Sequence, residues 1–267
     1  MLLHFKRQQL VITISSIKGG VGKSSTVLLL ANNLAARGRK VLVVDMDLNN
    51  TVTIYYTMGI GKISEICERQ NISLAYAQVS LDGNIISSRR KNIDIVPSSL
   101  RLVDQRSTED IRLKMILQKV KGYDDILIDT SPTYDSLVLA ALRAADLIIS
   151  PVQFTEYNFN MSVFLMNKIR TVLPEQASKA YFLFNHWNEQ YAKYPSSLQS
   201  QVLNMYQRSF SNLLSVKLPD TRYVDRYTNF DEKLSVNSIH IGNRRLALGI
   251  NALASMITGE EKSVEEF

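Results

Sequence analysis

Two lysines, three glycines and two serines crowd into one short stretch, Ile17-Lys18-Gly19-Gly20-Val21-Gly22-Lys23-Ser24-Ser25. Residues of these types at this spacing suit one kind of ligand, a polyphosphate. Glycines at positions 19, 20 and 22 permit positive φ and let backbone N–H groups approach phosphate oxygens with no Cβ in the way. The Lys23 ammonium would neutralise the terminal phosphates, and the Ser24 hydroxyl would ligate Mg²⁺. Three carboxylates share a second pattern. Asp45 and Asp47 close the apolar run Val41-Leu42-Val43-Val44, and Asp129 closes Ile126-Leu127-Ile128. A carboxylate at the end of a buried strand lies at the sheet edge where open α/β folds bind ligands. A strand ending in aspartate can also hold a magnesium ion through water.

The elements that must position these groups are legible nearby. Leu10-Val11-Ile12-Thr13-Ile14 alternates like a buried strand, and from Thr26 an apolar period of 3.6 residues runs to Arg37. Gly38 follows as a C-terminal cap. The glycine stretch is therefore a strand-to-helix turn, where the helix dipole adds positive potential. The continuous apolar character of residues 41–44 and 126–128 is that of parallel strands covered on both faces. Further strands are expected at Ile93–Pro97, Asp146–Gln153 and Ala180–Asn185, and helices at Lys62–Gln70, Arg106–Lys121, Ser136–Ala145, from Glu156 to about Arg170, and Asn243–Ile257. Residues 74–88 fit neither period.

The common pattern G-x-x-x-x-G-K-[ST] fails, because its first glycine falls on Ile17. The pattern K-G-G-x-G-K-[ST] fits, and it resembles the deviant Walker A motif of the ParA/MinD superfamily of ATPases. The resemblance extends from Val11 to about Thr258, and implies ATP and Mg²⁺ as cofactors and a homodimer formed on ATP binding. It implies that residues 18–25 bind nucleotide, that Lys18 reaches the partner subunit's nucleotide, and that Asp47 positions the attacking water. Ser24, Asp45 and Asp129 would serve the metal, Asn185 and Pro219 the adenine. Three positions depart from the family pattern: Leu48 and Asn49 stand where proline and glutamine are usual, and Ser131 replaces the first proline after Asp129. Asn185 also has a plainer reading, a buried amide satisfied by backbone.

The implied fold is α/β, a mostly parallel twisted sheet with helices on both faces, as one domain over residues 1–267. The implied function is ATP hydrolysis in plasmid or chromosome partition. The ATP dimer would bind nonspecific duplex DNA through Arg222, Arg226, Arg244 and Arg245, and a ParB-like partner would release it. Any one of these arginines could instead be merely solvated, or paired with Asp225 or Asp231. Glu156 and the residues after it would lie toward the partner subunit.

Composition is consistent with this reading and narrows the alternatives. The chain has 267 residues, 31 Lys+Arg against 25 Asp+Glu, and a formal net charge of +6, a balance compatible with an anionic partner. The one cysteine, Cys67, excludes intramolecular disulfides and a cysteine-held iron–sulfur cluster, and is expected to be a small buried hydrophobe. Scattered His4, His186 and His240 suggest no metal site. No apolar run reaches membrane-spanning length, and a cytoplasmic, nucleoid-associated protein without membrane contact is expected. The acidic end, Gly259 to Phe267, argues against a MinD-like membrane helix. The short stretch before Val11 leaves no room for a helix-turn-helix. An ATPase that positions a protein cargo stays open as the alternative.

Overall fold

The computed structural model describes residues 9–220 and 243–260. Arg222 and Arg226 lie outside them. Eight strands form one sheet in the order β3-β4-β2-β5-β1-β6-β7-β8. The strands are β1 (Leu10–Ile14), β2 (Val41–Met46), β3 (Ile86–Ser87), β4 (Ile93–Val96), β5 (Asp125–Thr130), β6 (Leu147–Val152), β7 (Ala180–Trp187) and β8 (Leu213–Pro219). Every pairing is parallel except that of the two-residue edge strand β3 with β4. The α/β class expected from the apolar runs is thus the observed one.

Side-chain alternation assigns each strand residue to a face. Leu10, Ile12, Ile14, Val41, Val43 and Leu127 pack into a core with α1 (Lys23–Ala36) and the last described helix, α10 (Arg244–Thr258). Leu42, Val44, Ile126 and Ile128 face the other way, onto α4 (Ile72–Gln78), α5 (Arg112–Gln118) and α6 (Ser136–Ala144). A third cluster packs α7 (Glu156–Val172) and α9 (Leu198–Ser209) on β6 and β7. The remaining helices are α2 (Thr51–Thr57), α3 (Ile63–Arg69) and the single turn α8 (Gln190–Lys193).

Helix α10 is held to α1 by a buried guanidinium. Arg37, just past the end of α1, donates to the Asn251 Oδ1 and carbonyl, the Ser255 hydroxyl and the Glu260 carbonyl. Leu246, Ile250, Leu253 and Ile257 are all buried, as their spacing predicts. At Gly249 a Cβ would meet the Lys217 carbonyl at 3.0 Å, so a side chain there would push α10 off β8.

Three expectations need correction. The helix expected over Arg106–Lys121 is two pieces, a 3-10 segment Leu100–Ser107 and then α5. Thr108, with φ −78° and ψ 155°, is extended and breaks the run, although Leu113, Ile116, Leu117 and Val120 keep their shared buried face. Strand β7 continues through His186 to Trp187, past the Asn185 end read from the sequence. Cys67 is half-buried on α3, which has no buried residue, and its thiol pKa is raised first by burial and then by the Asp45 charge. Among the described residues no helix is long and apolar enough to cross a membrane.

Candidate nucleotide site

Parallel register brings the three signals of the sequence to one edge. Asp129 is the register partner of both Ile14 and Asp45, so the C-terminal ends of β1, β2 and β5 lie side by side. By alternation both carboxylates share the α1 face of the sheet. The glycine turn leads from β1 into α1, whose first residue is Lys23. Gly22 stands at the N-cap with φ 92°, and Gly20 has φ 74°. No side chain caps α1 and its first turn carries no acidic residue, so its leading N–H groups are directed at the turn.

A cleft of about 440 Å³ opens above this edge. Its lining includes Gly19, Gly20, Gly22, Lys23, Ser24, Ser25 and Asp47 at one end, and Asn185, His186, Leu218, Pro219 and Asp220 at the other. A larger neighbouring cleft of about 850 Å³, between β8 and α10, shares Pro219 and Asp220 but contains no phosphate-binding turn. Chemistry therefore favours the smaller one. Val21 is buried and holds the turn by its carbonyl, which accepts from Asn185 Nδ2 at 2.8 Å. Asn185 thus braces the loop, the plainer of its two readings, while it also lines the cleft.

Gly22 is constrained twice, by its positive φ and because a Cβ would stand 2.2 Å from Asn185 Nδ2. Gly22→Ala should therefore lose nucleotide binding and lower stability by about 1–3 kcal/mol, the usual range for overpacking or backbone strain. Thermal denaturation beside a nucleotide titration measures both. Unchanged binding would show that the loop can rearrange around a methyl group.

The carboxylates differ in their surroundings. Asp45 is fully buried and accepts from the Thr53 N–H (2.8 Å), the Thr53 hydroxyl (2.7 Å) and the Asp47 N–H (3.0 Å). Burial nevertheless raises its pKa to about 6. These bonds fasten α2 and the 47–50 turn to the end of β2. Asp47 lines the cleft, and its Oδ1 accepts from the Asn49 N–H and Nδ2 (both 3.1 Å) and the Ser131 hydroxyl (3.2 Å). Two of the three residues that depart from the family pattern, Asn49 and Ser131, are the ones that orient Asp47.

Asp129 is fully buried, and neither carboxylate oxygen has a hydrogen-bond partner. Burial first, then Asp45, pushes its pKa well up; the nearby Ser24 hydroxyl pulls it back without reaching hydrogen-bond geometry, Asp47 pushes it up, and Lys23 pulls it down. The Lys23 ammonium is itself buried, which lowers its pKa against the pull of Asp129 and Asp47, and it donates to the Lys18 carbonyl at 3.3 Å. An orphaned buried carboxylate beside a serine hydroxyl fits a divalent cation. Among the described residues no cluster of three His, Cys, Asp or Glu could hold a metal alone. A cation here would complete its shell with oxygens from water or a bound phosphate.

The two lysines part company. Lys23 lines the cleft, whereas Lys18 does not; its ammonium lies 5.1 Å from the Tyr157 ring centroid at the start of α7. Glu156 is exposed beside it. Arg244 and Arg245 are exposed on the first turn of α10, and Arg245 lines the neighbouring larger cleft. Sequence reasoning missed two contributors. Gln153, closing the apolar β6, donates to the Gly20 carbonyl at 2.9 Å. His186, at φ 55°, pairs through Nδ1 with Asp220 at 3.2 Å on the cleft wall. A polar residue just after a buried strand was the available signal for Gln153, whereas His186 lies within β7 and carried none.

Comparison with known proteins agrees with this geometry. Residues 9–180 match the AAA domain family. The sporulation initiation inhibitor protein Soj of Bacillus subtilis is 31% identical over 169 residues, which cover 61% of this chain and 65% of Soj, just under two thirds of that relative. A plasmid partition protein of Borrelia burgdorferi, solved bound to AMPPNP, superposes with a TM-score of 0.71 at 24% identity, over 92% of this chain and 99% of that one. The ATP complex of a Cyanothece McdA variant gives a TM-score of 0.76 at 14% identity, over 96% and 99%. The last two likenesses speak for the fold. With the matched family and the K-G-G-x-G-K-S turn in place, the chain belongs to the AAA domain family, in its ParA/Soj branch of deviant Walker A P-loop proteins.

Proposed function

We propose that this chain is an ATP-hydrolysing switch of DNA segregation, which pairs with a second copy when ATP and Mg²⁺ are bound. The observation that carries the reading is the separation of the two lysines, Lys23 inside the cleft and Lys18 outside it. A lysine that cannot serve its own cleft is available to a partner's. Lys23, the turn amides and Ser24 would bind the triphosphate, with Asn185 and Pro219 at the adenine end. Ser24 and the orphaned Asp129 would hold Mg²⁺, with Asp45 fixing the turn behind them. Bound there, the cation neutralises charge on the terminal phosphates. Asp47, held by Asn49 and Ser131, would orient the attacking water, and Lys18 of the second copy would add charge stabilisation at the transferring phosphate. Such a protein acts as a timed switch, because pairing and hydrolysis use the same lysine.

DNA is the proposed partner of the paired state, with Arg222, Arg226, Arg244 and Arg245 as contacts and a ParB-like protein as the releasing factor. Arg244 and Arg245 support this by their position: cations on the first turn of a helix oppose its dipole, so α10 gains nothing from them. Pairing doubles every phosphate contact. Filter binding on random-sequence duplexes should show salt-sensitive binding with ATP and little with ADP. Arg245→Ala, lost from both copies, should flatten the slope of log K against log salt by about two units. Binding indifferent to nucleotide, or no DNA binding beside firm adsorption to a protein cargo or anionic vesicles, would overturn the DNA reading.

A further inference from the structure

Lys18 is turned away from the cleft by a contact of its own. Its ammonium lies over the Tyr157 ring, 5.1 Å from the centroid. Tyr157 is the second residue of α7 and 58% exposed, so burial does not explain an aromatic ring there. The helix end is already capped by Thr155, whose hydroxyl accepts from the Asn158 N–H. The connection from β6 to α7 is also pinned to the glycine turn, through Gln153 Nε2 on the Gly20 carbonyl. Ring and lysine are therefore held in register by a contact that belongs to neither.

We propose that Tyr157 is a positioning residue for Lys18, which cradles the ammonium in the unpaired chain and thereby acts as a brake on pairing. The inference rests on the reading that Lys18 serves the second copy. A cation over an exposed aromatic face favours that position by about two- to five-fold. To reach a partner's nucleotide, Lys18 must leave the ring. Two rings are vacated in a symmetric pair, so the brake enters twice and weakens pairing by about 5- to 30-fold. Tyrosine and phenylalanine offer similar ring faces, whereas leucine fills space without one.

The cradle is tested first in the nucleotide-free chain. In NMR spectra of protein carrying ¹³C-labelled lysine, the Lys18 Hε signal, assigned with Lys18→Arg, should lie upfield of the other lysines through the ring current. Tyr157→Leu should remove that shift and Tyr157→Phe should keep it. Absence of the shift in the parent chain overturns the cradle. Sedimentation equilibrium with a nonhydrolysable ATP analogue and Mg²⁺ then tests the brake. Tyr157→Leu should pair about 5- to 30-fold more tightly, with Tyr157→Phe close to the parent. Unchanged or weaker pairing of the leucine variant overturns the brake, because the ring would then contribute nothing to it or would contact the partner directly. An upfield Lys18 signal in a chain whose Lys18→Ala variant pairs as tightly as the parent overturns the partner role of Lys18, and the brake with it, while leaving the cradle standing.

Discussion

Lys23→Ala should lose nucleotide binding, while Lys18→Ala should keep binding and lose pairing. The Lys23 ammonium is buried in the cleft among Asp47, Asp129 and the first turn of α1. Removing it withdraws the countercharge from phosphate oxygens that water cannot easily reach. Truncating one partner of a buried charge pair costs about 2–5 kcal/mol, or about 30- to 5,000-fold in the dissociation constant. The Lys18 ammonium lies over Tyr157, and only the Lys18 backbone carbonyl meets Lys23, so truncating the side chain should shift the same constant by less than about two-fold, the small effect usual for a surface change. A fluorescent-nucleotide titration beside size-exclusion chromatography with ATP and Mg²⁺ separates the two. Equal loss of binding in both variants would place Lys18 inside its own subunit's site.

Asp47→Ala should slow ATP hydrolysis by about 10²- to 10⁴-fold, the range for a positioned acid–base group, with nucleotide binding retained. The carboxylate is held through Oδ1 by Asn49 and Ser131, and is not itself orphaned as Asp129 is. In the proposed reading that difference gives the water to Asp47 and the cation to Asp129. With hydrolysis slowed, the ATP-bound pair should accumulate, visible as a persistent dimer peak in a single-turnover experiment. An Asp47→Ala chain that neither binds ATP nor pairs would move this residue to the metal and leave the water without an orienting group.

Local pattern carried much of the site into the sequence. A glycine turn between a strand and a helix is a short-range feature: backbone freedom at Gly20 and Gly22 and the start of α1 follow from neighbouring residues alone. Unbroken apolar runs likewise announced β2, β5 and β6 as buried parallel strands, and their closing carboxylates announced an edge. Helix α10 was legible because its four core residues repeat on one face.

Contacts between distant segments were decided only by the tertiary structure. Asp45 and Asp129 face one another's strand because β2 and β5 pair in register, a long-range choice that neither run specifies. The tie from Asn185 to Val21 depends on β7 lying two strands from β1, and it makes a residue of the cleft wall a brace for the loop as well. Asn49 and Ser131 look like departures from a pattern when read in a line. In space they converge on one oxygen of Asp47, from β2 and β5 loops far apart in the chain. The resting place of Lys18 has the same cause: the family resemblance implied a reach to the partner subunit, but only the packing of α7 beside the turn supplied the ring of Tyr157. Conformational freedom and periodicity over a few residues are properties of the sequence, because they depend on backbone sterics and local burial. Which side chains meet across the sheet depends on strand order, and that is settled by the packing of the whole molecule.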